Sequence, residues 1–186
     1  MTRIIGGRYK GRALAVPPGR TTRPTAARTR EALFNILAHQ DWGRLKDTRV
    51  LDLFAGSGAL GFEALSRGAA FCLFVDNDAA ARGAMRETIE ALGLFGQTRL
   101  HRRDATALGR RPAALGAPFD LVFLDPPYEQ GLGEAALDGL RKGGWLSPDA
   151  LAVYECAAAE TPDLPDWSLL DERRYGAAKL LFLTLC

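Results

Sequence analysis

The chain has 186 residues, 47% of them hydrophobic and 25% charged, the balance of one soluble globular domain with a substantial core. No apolar run reaches the roughly 18 residues needed to span a bilayer, and the basic start lacks the apolar stretch of a secretory signal, so no membrane partner is expected. The three cysteines, Cys72, Cys156 and Cys186, are far apart and show no C-x-x-C spacing, which argues against a disulfide framework or a zinc site and fits a reducing cytoplasm.

The net charge of +2 conceals an asymmetry. Residues 1–30 hold eight basic side chains (Arg3, Arg8, Lys10, Arg12, Arg20, Arg23, Arg28 and Arg30) and no acid. Beyond position 30 there remain 16 basic against 22 acidic residues, a net of −6. A mildly acidic body with a strongly basic leader is an electrostatic footprint for a polyanion such as nucleic acid. Ile4, Ile5, Tyr9, Leu14 and Val16 are interleaved with those charges, which speaks for a folded leader rather than a solvated tail. Arg8, Lys10, Arg12, Arg23, Arg28 and Arg30 are therefore candidate nucleic-acid contacts.

In chain order, residues 3–16 read as a small hairpin, with Gly6-Gly7 and Lys10-Gly11 as turns. Pro17-Pro18-Gly19 ends it. Residues 26–38 read as a helix with an apolar stripe of Leu33, Phe34, Ile36 and Leu37, capped by Thr25, with Arg28 and Arg30 projecting from its first turns. From residue 49 the pattern becomes alternating strands and helices. Strands are expected at 49–54, 71–76, 98–101, 119–124, 150–155 and 178–185, with helices at about 59–67, 79–93 and 131–142. Near-continuous apolar strands in a βαβα rhythm predict an open, doubly wound, Rossmann-like α/β sheet covered on both faces. The organisation expected is a basic hairpin-and-helix extension over 1–45 in front of a sheet domain over 46–186.

Residues 50–61, VLDLFAGSGALG, describe a strand, a glycine loop and a helix start. Gly56, Gly58 and Gly61 satisfy GxGxxG, a weak signal shared with dinucleotide enzymes. Asp76, at the end of the second strand, suits ribose hydroxyls, and that too is shared. Asp52 separates the readings. A carboxylate beside this loop would repel a pyrophosphate, whereas S-adenosylmethionine carries a cationic ammonium and sulfonium that it attracts. Asp104, after the third strand, suits an adenine amino group. Phe54, Ser57, Asn77 and Ala105 flank these positions and complete the expected cofactor contacts.

The fourth strand runs into Asp125-Pro126-Pro127-Tyr128. The prolines remove backbone donors and hold the preceding residue extended. The carbonyls of Asp125 and Pro126 and the Asp125 side chain can then accept both hydrogens of an –NH₂ group. An exocyclic amine on a base is a poor nucleophile because its lone pair is delocalised into the ring. Holding its hydrogens draws the nitrogen towards tetrahedral geometry and steadies the developing charge. Tyr128 offers a flat face for a flipped-out base. This chemistry needs no metal.

The DLFAGSG loop followed by DPPY resembles the amino-group methyltransferases of class I. Arg3-Ile4-Ile5-Gly6-Gly7, Lys10-Gly11-Arg12, Arg23-Pro24-Thr25 and residues 30–37, REALFNIL, resemble the RsmD family of bacterial 16S ribosomal RNA guanine-N2 methyltransferases. The resemblance implies S-adenosylmethionine as methyl donor and S-adenosylhomocysteine as product. It also implies action on 16S RNA within the small ribosomal subunit. Separately, the chain has no long exposed apolar stripe that would suggest a dimer, so a monomer is expected, in the cytoplasm that the cysteines fit. Asp52, Gly56 and Gly58 would line the methionine end of the cofactor, Asp76 the ribose and Asp104 the adenine. Three rivals stand at this stage, one of them a non-enzymatic RNA-binding module that retains the fold, against which the intact Asp52, Asp76 and Asp125 set argues. The DPPY loop does not distinguish guanine N2 from adenine N6 or cytosine N4 of DNA, and the glycine loop alone would permit a nicotinamide-dependent oxidoreductase. His39 and His101 match no catalytic motif.

Overall fold

The computed structural model describes residues 1–19 and 24–186. Its order is α1 (Pro24–His39), β1 (Arg49–Leu53), α2 (Ala59–Ser66), β2 (Phe71–Val75), α3 (Ala79–Leu92), β3 (Thr98–His101), β4 (Phe119–Leu124), α4 (Leu132–Lys142), β5 (Leu146–Ala157), β6 (Trp167–Tyr175) and β7 (Ala178–Leu185). The strands form one seven-stranded sheet in the order β3-β2-β1-β4-β5-β7-β6. The first five are parallel neighbours, whereas β7 runs antiparallel to both β5 and β6. This is the doubly wound α/β sheet expected. Its strand order reverses between β1 and β4, which opens a crevice at their carboxyl ends.

Strand residues alternate between two cores. On one face Val50, Phe74, Phe123, Val153 and Phe182 pack with Leu33, Phe34 and Leu37 of α1, Phe62 and Leu65 of α2, and Met85 and Ile89 of α3. On the other, Leu51, Leu53, Val122 and Leu124 pack with Ala136, Leu137 and Leu140 of α4 and with Trp145. The leader shares the first core: Ile4 and Leu14 are buried in it, and Phe34 meets Phe123 at 5.7 Å between ring centroids.

Besides the N-terminal hairpin, three elements differ from the sequence reading. Helix α1 begins at Pro24, so Thr25 lies inside the first turn rather than before it. Proline suits that first position because its missing N–H has no helical acceptor there. Strand β6 was not anticipated. Its sequence WSLLDERRY is mostly exposed and charged, and a register shift interrupts it between Leu169 and Asp171. Arg173 pairs with Asp171, and Arg174 with Glu172. Charges and a bulge are how an edge strand is kept from pairing with other chains, and they erase the alternation that marks a strand. Strand β5 starts at Leu146 rather than 150, with Pro148 inside the shift that separates the Leu146–Phe119 and Leu151–Leu121 pairs.

The N-terminal hairpin is reduced to one antiparallel bridge, Arg3 with Ala13, closed by Ile4 N–H to the Arg12 carbonyl at 3.0 Å and Leu14 N–H to the Thr2 carbonyl at 2.9 Å. Gly11 N–H also donates to the Ile4 carbonyl at 2.8 Å, while four amides of the turn reach α2 instead. The amides of Ile5 and Gly6 donate to Glu63 Oε2 and Oε1, both at 2.8 Å. Arg8 N–H donates to the Ser66 carbonyl at 2.7 Å, and Tyr9 N–H to Ser66 Oγ at 2.9 Å. Gly7 sits at φ 75°, and a Cβ there would lie 2.0 Å from the Ser66 carbonyl oxygen, so only glycine allows the approach.

Glu63 is the centre of this contact. It is fully buried, and besides the two amides it accepts from Arg67 Nε at 2.8 Å, with Arg30 Nε at 3.9 Å. Replacing Glu63 with Ala leaves two amides and the Arg67 guanidinium without their acceptor, and takes from Arg30 the charge it faces. It should cost about 3–5 kcal/mol, measured as a lowered urea midpoint, with faster amide exchange at Ile5 and Gly6. Glu63→Gln, which keeps one acceptor oxygen, should fall between it and the native protein.

Candidate active site

A cleft of about 710 Å³ opens at the carboxyl ends of β1, β2 and β4. Its walls include Asp52, Phe54, Gly56, Ser57, Asp76, Asn77, Asp104, Ala105 and all four residues of the Asp125–Tyr128 loop. The structure therefore gathers nearly every expected cofactor and catalytic residue in one place. Gly58 is the exception. It turns the chain into α2 at φ 73°, and a Cβ would meet Phe62 Cε2 at 2.7 Å and Phe74 Cε1 at 2.9 Å. Its place is packing beneath the loop rather than lining the cleft.

The loop after β1 is held by carboxylates. Phe54 has φ 57°, a left-handed conformation costing a non-glycine residue about 1–3 kcal/mol. Asp76 accepts from Gly56 N–H through Oδ2 and from Asp78 N–H through Oδ1, both at 2.8 Å. It thus ties the β1 loop to the β2 loop and keeps lone pairs for further donors. Asp104 Oδ1 accepts from the Thr106 amide at 2.8 Å and hydroxyl at 2.7 Å. Those bonds hold its carboxyl below the usual range, so it stands ionised as an acceptor.

Asp52 lies in the middle of the sheet, between Phe74 of β2 and Phe123 of β4, and is 2% exposed. Its Oδ2 accepts from Gly61 N–H in the first turn of α2 at 2.9 Å, where the helix carries partial positive charge. It therefore caps a helix as well as lining the cleft. Burial pushes its carboxyl well above the usual range; the Gly61 amide opposes this, and the negative charges of Asp125 and Asp76 add to it. Three acids concentrated on one wall favour a cationic ligand, which would relieve their repulsion. The residues present thus fit S-adenosylmethionine. Among the described residues, no group of three or more His, Cys, Asp or Glu side chains could hold a metal ion.

The ladder of β4 with β1 and β5 ends at Leu124, which pairs with Leu53 and Tyr154. Asp125 is the first residue beyond it and is exposed. Pro126 is buried and anchors the turn, while Pro127 and Tyr128 are exposed at the rim. The loop is held from β5 and the turn that follows it. The Tyr128 hydroxyl donates to Glu155 Oε1 at 2.8 Å, and Glu129, at φ 60°, donates its N–H to Glu160 Oε1 at 2.9 Å. Glu155 lines the cleft and was missed in the sequence. Its signal was a single acid interrupting the apolar run LAVYEC of β5.

Of the expected nucleic-acid contacts, Arg8, Lys10, Arg12 and Arg28 are exposed, and Arg23 lies outside the described residues. Arg30 does not project as expected. It is 8% exposed, lines the cleft, and donates from a terminal nitrogen to the Arg3 carbonyl at 2.8 Å. The pull of Glu63 and the apolar face of α1 draw it inward. Arg103, not singled out earlier, also lines the cleft. His39 hydrogen-bonds the Asn35 carbonyl at the end of α1, and His101 ends edge strand β3; neither lines the cleft.

The family model described as conserved hypothetical protein 95, which represents the RsmD family, matches residues 2–184. The ribosomal RNA small subunit methyltransferase D of Escherichia coli strain K12 is 40% identical over 176 residues, covering 94% of this chain and 85% of that protein. The protein of that name from Haemophilus influenzae is 36% identical over 177 residues, covering 94% and 89%. The solved structure of yhhF from Escherichia coli superposes with a TM-score of 0.83 at 37% identity, covering 99% of this chain and 97% of that one. The match runs over nearly the whole chain, and the chain belongs to the RsmD family, built on the class I methyltransferase fold.

Proposed function

We propose that this protein transfers a methyl group from S-adenosylmethionine to the exocyclic N2 of a guanine in 16S ribosomal RNA of the small ribosomal subunit. The observation that carries this reading is the Asp125–Tyr128 loop, presented at the rim of an acid-lined cleft. The naming of two relatives as ribosomal RNA small subunit methyltransferases supports the RNA class.

Asp52 and the Gly56 loop would hold the methionine end of the cofactor, Asp76 its ribose, and Asp104 with Ala105 its adenine. Bound there, the cofactor supplies an electrophilic methyl group on a sulfonium. Asp125 accepts hydrogens from the target amine and orients the nitrogen lone pair towards the cofactor. The two prolines fix that acceptor, so little reorganisation is needed in the transition state. Tyr128 stacks the base. Arg8, Lys10, Arg12 and Arg28 meet phosphates, and Arg23 is assigned the same role from the sequence alone.

The direct test is transfer from labelled S-adenosylmethionine to small subunits lacking the modification, followed by nucleoside analysis. Label in N2-methylguanosine is the expected result, and label confined to another base or to DNA would overturn the reading. Asp125→Ala should reduce turnover at least about 100-fold while S-adenosylhomocysteine still raises the melting temperature as it does for the native protein. A mutant with near-native turnover would refute the role of the loop.

Neutralising Arg8, Lys10 and Arg12 together should weaken binding to the RNA. The slope of log affinity against log salt should become shallower by about 2–3. An unchanged slope in a filter-binding titration would show that these side chains do not meet phosphates.

A further inference from the structure

Guanine N2, adenine N6 and cytosine N4 are all amines conjugated to a ring, and a loop that grips the –NH₂ group treats them alike. They differ at a ring nitrogen beside the amine-bearing carbon. In guanine that nitrogen, N1, carries a hydrogen and donates. In adenine and cytosine the corresponding nitrogen has a lone pair and accepts.

Glu155 stands where this difference can be read. It is one step past Tyr154, as Asp125 is one step past Leu124, and Leu124 and Tyr154 are the last β4–β5 pair. Both acids line the cleft. The Tyr128 hydroxyl donates to Glu155 Oε1 at 2.8 Å and so fixes the carboxylate beside the face on which the base would stack. Each carboxylate offers about four acceptor sites, so this bond leaves capacity for another donor. Among the described residues no cation pairs with Glu155, and it is half-buried. A desolvated acceptor of this kind calls for a donor from the ligand. Asp52, Asp76 and Asp104 already have places around the cofactor, and Glu155 has none there.

We propose that the Glu155 carboxylate accepts the N1–H of the target base while the Asp125 loop holds its 2-amino group, and that this selects guanine over adenine and cytosine. The proposal rests on the guanine-N2 reading above and names the residue that enforces it. Adenine or cytosine in the same pose would set a lone pair against a carboxylate, a repulsive contact with no donor between them.

The test uses small subunits assembled with guanine or 2-aminopurine at the methylated position. 2-Aminopurine keeps the 2-amino group but has a lone pair at N1. The native enzyme should prefer guanine in kcat/KM by at least about 100-fold. Glu155→Gln retains an oxygen for Tyr128 and presents an amide donor to N1. It should lose activity on guanine and narrow the preference to within about 10-fold. Tyr128→Phe, which keeps the carboxylate, should slow both substrates and retain the preference. Equal native rates on the two bases would overturn the proposal, as would a Glu155→Gln variant that slows both by the same factor, the mark of a residue that only positions Tyr128. The guanine reading is judged separately, from the native product: methyl on adenine or cytosine would overturn both.

Discussion

Glu63 carries no chemistry, yet the arrangement of the molecule depends on it. A leader rich in arginine has backbone amides that need acceptors and positive charges that repel one another. One buried carboxylate on α2 answers both needs, taking the amides of Ile5 and Gly6 and facing Arg67 and Arg30. The leader is thereby wrapped on the helix that begins at the glycine loop. Thr2, Val16 and Pro17 become part of the cleft wall, and Ile4 and Leu14 join the core beneath. The basic leader and the cleft are joined through this contact.

The cleft follows a second constraint, the reversal of strand order between β1 and β4. That reversal brings the ends of three strands together, and each ends near an acid: Asp52 on β1, Asp76 after β2 and Asp125 after β4. Their mutual repulsion is part of what raises the Asp52 carboxyl. Backbone amides of Gly56, Asp78 and Gly61 offset some of it. Acids so placed suit a ligand with two positive groups better than a pyrophosphate.

The Asp125–Tyr128 loop is braced from outside itself. Glu129 occupies a left-handed conformation that a non-glycine residue keeps only when its surroundings hold it. Glu160 supplies that hold through the Glu129 amide, and Glu155 steadies the Tyr128 ring through its hydroxyl. Both acids come from β5 or the turn just beyond it, about 30 residues downstream in a chain whose parallel pairing makes them neighbours.

Much of this was legible in the chain. Apolar runs of five or six residues separated by helical segments imply a parallel sheet because such strands must be buried on both faces. The motifs at the ends of the first and fourth strands marked the cleft, because open α/β sheets bind ligands there. Local pattern did not reveal the long-range contacts. The charged edge strand β6 has no alternation to read, and it exists because β7 supplies its hydrogen bonds. The hairpin shrank because α2 competed for its amides. Arg30 looked like its exposed neighbour Arg28 until Glu63, 33 residues away in sequence, drew it inside. Glu155 was one acid in an apolar run until the sheet set it beside Tyr128. The sequence by itself determined the fold class and the cleft-forming motifs, since both depend on short-range periodicity and residue type. Which charges are buried, which strand closes the edge and which carboxylates brace the loop were decided by tertiary structure, because each depends on a partner distant in the chain.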